Sequence, residues 1–200
     1  MSLRTEIETK LGRYFEEMNC CEGAGCYWAM LHLAVVLPDI CAALEADGEA
    51  KPERYQDWCT RYLADQRLSG LEWYGVRCTV LHQGRTLAWP GLRYGSYRFH
   101  YPGGLHKIPY PPDNPEQWPD GKDHLPLDVA VMAKEVEAAV RKWIADLERD
   151  DPEAQRPKNV RKYLPTVAIM DRPIRFNGAA GFTSAPAAGP AVSVAEPPQT

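Results

Sequence analysis

Apolar positions recur every three or four residues over most of the chain up to Gly84, and that spacing predicts four helices. The first runs from about Ser2 to Met18. Ser2 or Thr5 can cap it, and Leu3, Ile7, Leu11, Tyr14 and Phe15 form its apolar stripe. The second runs from about Gly23 to Ala46 and is apolar on more than one face, as a helix buried on several sides would be. Pro38 lacks a backbone donor and is expected to kink or restart it, and His32 reads as a hydrogen-bonded core histidine. A third helix spans about Pro52 to Gln66, with proline at its first position and Tyr55, Trp58, Cys59 and Tyr62 as an aromatic stripe. A fourth starts at Ser69, with Glu72 placed for a capping box, and is expected to end at Gly84 in a left-handed cap.

Beyond Gly84 the period changes. From Leu92 to Tyr101 residues alternate, with Tyr97, Phe99 and Tyr101 on one face and Arg98 and His100 on the other. Pro102-Gly103-Gly104 is a turn signal, and Leu105 to Tyr110 is expected to pair back as the second strand of a β-hairpin. The aromatic face of this hairpin reads as packing on the bundle, or as a stacking surface for RNA. Helical spacing returns from about Pro126 to Arg149, where Val129, Met132, Val136, Val140, Trp143 and Leu147 form a stripe that can close the bundle or dimerise. The fold class is therefore mainly α, a helical bundle over residues 1–150 with an inserted β-hairpin at about 92–110. Residues 151–177 read as an extended docking segment, in which Thr166 to Met170 can form a short strand. Residues 178–200, rich in Ala, Pro, Gly and Ser, read as a disordered tail.

Composition narrows the function. With 44% hydrophobic residues, six Trp and ten Tyr, the chain can bury a sizeable core. Six cysteines give no regular disulfide framework and nothing at the N-terminus resembles a signal peptide, so a cytoplasmic protein with reduced thiols is expected. Cys20, Cys21 and Cys26 are the one candidate metal spacing, but they lack the paired C-x2-C partners of a structural zinc site, so no metal and no cofactor is expected. The run from Cys26 to Leu44 is apolar enough to suggest a membrane span. His32, Pro38 and Asp39 interrupt it, so a central helix of a soluble bundle is the better reading and no membrane is expected. The net charge of −4 argues against a general nucleic-acid binder. That average hides an asymmetry: Lys51 to Lys107 carries nine Lys and Arg against four Asp and Glu.

Within this basic stretch lies Tyr74-Gly-Val-Arg77-Cys-Thr-Val-Leu-His82-Gln-Gly84. An arginine and a histidine stand five positions apart at the end of an apolar helix, just before a glycine. Arginine holds phosphate oxygens with a planar fork, and histidine moves a proton near neutral pH. Together they are the minimum kit for cleaving a phosphodiester without a metal. No P-loop, no G-x-S-x-G elbow and no H-E-x-x-H is present, and the acids are too scattered to nominate a carboxylate pair.

The run resembles the R-x4-H signature of the HEPN superfamily, small helical bundles that include metal-independent ribonucleases of toxin–antitoxin and antiviral systems as well as silent members that only bind or scaffold. The resemblance covers about 70 residues, from the second helix to Gly84. It implies that Arg77 holds the scissile phosphate while His82 serves the attack of the neighbouring ribose 2′-hydroxyl as base or acid, with RNA as substrate. Tyr74 and Gln83 are placed to orient a phosphate. On an ideal helix Arg77 and His82 stand about 140° apart and about 7.5 Å along the axis. In the family such pairs commonly meet across a two-fold axis, so a homodimer is expected, with an antitoxin or regulatory protein as a further partner. The alternative is a catalytically silent HEPN-like binding or regulatory module.

Overall fold

The structure is a computed structural model. It describes residues 2–81, the backbone of His82 and Gln83, and residues 87–88, 91–112 and 121–167. The expected cap at Gly84 and the tail over 178–200 lie outside the described residues.

The chain is mainly helical. Helix α1 spans Leu3–Gly23, with the Ser2 hydroxyl accepting from the Thr5 amide. It runs past Met18 because the stop comes later. Gly25 takes a left-handed φ of 69°, the Cys26 amide returns to the Cys21 carbonyl at 2.8 Å, and the Gly25 amide to Glu22 at 3.1 Å. Helix α2, Tyr27–Glu45, is the central element and packs against α1 and against the later helices α3 (Pro52–Tyr62), α5 (Val129–Arg149) and α6 (Gln155–Tyr163). Among the described residues it is the one helix long and apolar enough to cross a membrane, and half of that apolar window is buried inside the bundle. Helix α2 continues through Pro38 rather than restarting there. The proline ring disturbs the carbonyls one turn earlier, and the buried Tyr55 hydroxyl donates to one of them, Val35, at 3.3 Å.

Helix α3 stops four residues sooner than its pattern suggests. The Asp65 carboxylate takes the Arg67 and Leu68 amides at 2.7 and 2.9 Å, an Asx turn that competes with further helix. Helix α4, Gly70–Cys78, starts with the anticipated capping box: Glu72 accepts from the Ser69 amide at 2.8 Å and Ser69 from the Glu72 amide at 3.3 Å. At Thr79 the helix widens into a π turn that lasts to Gln83. The Thr79 hydroxyl donates to the Gly75 carbonyl at 2.8 Å, a back-bond that loosens the regular ladder.

The expected hairpin over 92–110 is not the sheet that forms. Strand β1, Ser96–His100, pairs in parallel with β2, His124–Asp128, in the register Tyr97 to Leu125 and Phe99 to Leu127. The segment Leu105 to Tyr110 returns beside β2 instead. The Lys107 amide donates to Pro126, and Tyr110 forms an antiparallel bridge with His124. The burial pattern explains this choice: all five residues of β2 are buried, including Leu125 and Leu127. Pro126 belongs to this strand, not to the following helix. Helix α5 begins at Val129, because the Asp128 carboxylate caps the Ala130 and Val131 amides.

The stripe of α5 closes the bundle. Met132, Val136, Val140, Trp143 and Leu147 are all buried in the core, so that face is not presented to a second copy. Residues 151–167, expected to be extended, contain α6 and a 3-10 turn, Leu164–Thr166. Polar bonds seat this end: Arg156 donates to Glu45 and to the Tyr62 hydroxyl, and Asn159 to the Glu45 carbonyl. The strand expected over Thr166 to Met170 is replaced at its start by that turn, and residues 168–170 lie outside the described residues.

Candidate functional site

Helix α4 carries Arg77 on the side that faces α2 and α3. Its guanidinium Nε donates to Asp39 Oδ2 at 2.8 Å, and Nη2 is bonded to the same oxygen. Nη1 lies 3.9 Å from Cys78 Sγ. Both side chains of the pair are only 15% exposed. The guanidinium carbon also sits 5.6 Å from the centre of the Tyr55 ring and 5.7 Å from that of Tyr74, and these two rings meet edge to face at 5.8 Å. Among the described residues Arg77 is thus held by one carboxylate and two aromatic rings, a cation–π setting in a partly dry pocket. Burial by itself lowers the Arg77 pKa, but hydrogen bonding and charge attraction from Asp39 outweigh it, so the guanidinium is held more firmly cationic. Burial pushes the phenols of Tyr55 and Tyr74 upward, so both rings stay neutral at physiological pH.

Of the four expected site residues, the structure brings Tyr74 and Arg77 into contact. The side chains of His82 and Gln83 lie outside the described residues. Their backbone does bear on the geometry. A π turn closes through i to i+5 hydrogen bonds and so holds more residues per turn than an α turn. Because Thr79–Gln83 is π-helical, position 82 stands closer to the face of position 77 than the 140° of an ideal α-helix would leave it. Such turns are rare and recur at functional sites.

No protein-family model, curated protein or solved structure matches the chain.

Two residues of this environment, Asp39 and Tyr55, carry no motif. Asp39 had a readable signal: a lone carboxylate inside an apolar helix needs a cation. Tyr55 looks like any core aromatic in sequence. The thiols divide by position. Cys41, Cys59 and Cys78 are buried, Cys20 and Cys26 are exposed, and burial raises the thiol pKa of Cys41 and Cys59. Among the described residues no three His, Cys, Asp or Glu side chains gather as a metal site.

Proposed function

We propose that the chain is a HEPN-like, metal-independent endoribonuclease that works through Arg77 and His82. The observation that carries this reading is the π turn placed between the two residues, which draws their backbone positions toward a common face. Arg77 would stabilise the negative charge that develops on the phosphate oxygens. His82 would take the proton of the 2′-hydroxyl as that oxygen attacks phosphorus, or supply a proton to the departing 5′-oxygen. The bond from phosphorus to the 5′-oxygen breaks, leaving a 2′,3′-cyclic phosphate and a 5′-hydroxyl. Asp39 and the rings of Tyr55 and Tyr74 would fix the direction of the guanidinium.

One observation favours a second reading, a silent binding module. Asp39 already takes two guanidinium nitrogens, so a phosphate must share or displace that carboxylate. The test is cleavage of single-stranded RNA in excess chelator, with variants compared at equal folded fraction. His82→Ala should lower the rate about 10²–10⁴-fold, and Arg77→Ala about 10²–10³-fold. Asp39→Asn should reduce cutting if Asp39 aims the arginine. Wild type that binds RNA but never cuts it, with binding strengthened by Asp39→Asn, would establish the silent reading. Equal cutting by wild type and His82→Ala would trace the activity to a contaminating nuclease.

A further inference from the structure

The other end of α2 presents a cluster of aromatic side chains that no part of this mechanism uses. Tyr27 and Trp28 open the helix, and Phe99, His100 and Tyr101 end β1 and begin the loop after it. The fold brings these distant segments together around a cleft of about 240 Å³, closed at one side by Val129. Tyr27 meets Tyr101 at 5.2 Å and Trp28 meets Phe99 at 6.2 Å, each pair at an angle of 73°. In each edge-to-face pair one ring presents its edge, so its own faces are left uncovered by its partner. Trp28 remains 49% exposed and Tyr101 73% exposed. Rings of this size contribute strongly to a core or an interface when covered.

Two histidines add polar character. His32 donates from Nδ1 to the Trp28 carbonyl at 2.8 Å and packs edge-on against the indole at 5.0 Å, which steadies Trp28. His100 lines the cleft, and its Nε2 is buried without a hydrogen-bond partner among the described residues. Among the described residues no Lys, Arg, Asp or Glu lines the cleft, so an occupant is gripped by ring faces and a polar edge rather than by charge. A nucleobase has both features: a π-face on each side and hydrogen-bonding groups around its rim.

We propose that this cleft binds an unpaired nucleobase of single-stranded RNA. The proposal rests on the ribonuclease reading in one respect, that RNA is what the chain engages. It deepens that reading by giving the RNA a base-binding subsite apart from Arg77. One helix links the two sites: Asp39, which holds Arg77, lies eleven residues beyond Trp28 on α2, about 16 Å along its axis. That span suits a strand whose phosphate is held at Arg77 while a base a few nucleotides away is held in the cleft.

The test separates binding from cutting. The probe is a fluorescein-labelled dodecamer of 2′-O-methyl RNA, which has no free 2′-hydroxyl to attack and cannot be cleaved by the proposed route. Binding is read by fluorescence anisotropy for this strand, for its duplex, and for an abasic strand of equal length. Wild type should prefer the single strand with bases. Trp28→Ala and Tyr101→Ala should each weaken it about 5- to 150-fold, with Trp28→Phe recovering most of the loss. Leu71→Ala, an exposed apolar residue outside the cleft, should change nothing. Equal affinity of wild type and both alanine variants, equal affinity for the abasic strand, or no binding by wild type would overturn the proposal. A fall in particle mass by light scattering in Trp28→Ala would also overturn it, in favour of an interface between copies. Base-dependent binding without cleavage of ordinary RNA would sink the ribonuclease and leave the cleft standing. Cleavage of ordinary RNA with binding indifferent to Trp28 would do the reverse.

Discussion

The two ends of α2 each carry an aromatic cluster, and the clusters are used in opposite ways. Near Asp39 the rings of Tyr55 and Tyr74 already hold a cation, the Arg77 guanidinium, with a carboxylate to balance it. Near Trp28 the rings pack edge to face, and Trp28 and Tyr101 stay largely exposed. Similar residue types thus give rings occupied by a cation of the chain itself at one end and partly exposed rings at the other. Aromatic content in a sequence therefore says little until its partners are known. A ring with an internal cation belongs to the fold, whereas an exposed ring leaves surface that an external group can cover.

Three measurements can break or sharpen this contrast. The largest effect should come from Arg77→Ala, which leaves Asp39 partly buried without its cation. A half-buried pair broken on one side should cost about 2–4 kcal/mol, read as a lower midpoint in urea. A loss near zero would mean that Asp39 reaches water readily and that the Arg77 end is as open as the other.

A middle-sized effect is expected at Lys107, which anchors the loop carrying Tyr101. Its ammonium bonds Asp65 at 2.7 Å and both oxygens of Glu135 at 2.9 Å, although its backbone takes the left-handed φ of 54°. Lys107→Ala should cost about 1–2 kcal/mol, reduced from the value for dry charged bonds because both acids are partly solvated. Burial pushes the Glu135 and Asp65 pKa values up, but His106 and Lys107 pull Glu135 down further, and Lys107 and loop amides do the same for Asp65. The folded state therefore holds fewer protons than the unfolded chain at these groups. Their contribution is present above the ordinary carboxylate range of about 4 and is lost as pH falls through the lowered folded values. The gap in stability between wild type and Lys107→Ala should shrink in acid. A gap that stays constant down to pH 2 would remove this brace from the account.

The smallest effect on folding should be that of the double variant Trp28→Ala with Tyr101→Ala, within about 0.5 kcal/mol. A large loss of stability would show that these rings support the fold and are not reserved for a ligand.

Much of the helical frame was legible from local chemistry. The apolar stripes of α1, α4 and α5 and the capping box at Ser69 are signals that act within one or two turns, so sequence spacing reveals them. The sheet was not legible. Pro126 is acceptable both at a helix start and in a strand whose donor is not needed, and only the Asp128 cap, together with the burial of Leu125 and Leu127, decides between them. A parallel pairing between segments nearly thirty residues apart leaves no local trace, whereas the turn at Pro102 to Gly104 suggests a hairpin. The candidate site divides in the same way. Arg77 and Tyr74 share one helix turn and were readable together. Asp39 and Tyr55 reach Arg77 only through packing of α2 and α3 on α4, and the widening at Thr79 coincides with one back-bonded hydroxyl.

That widening gives α4 a direction. Its start is fastened by the reciprocal bonds of Ser69 and Glu72, whereas its far end passes into the wider π turn. Spontaneous opening of the helix should then begin at the Gln83 side and move backward. Amide hydrogen exchange would record this as a gradient, fast at Leu81 and slow at Trp73. Arg77 stands between those limits, so the residue proposed to grip phosphate is also the point where a fraying wave meets the Asp39 anchor and stops.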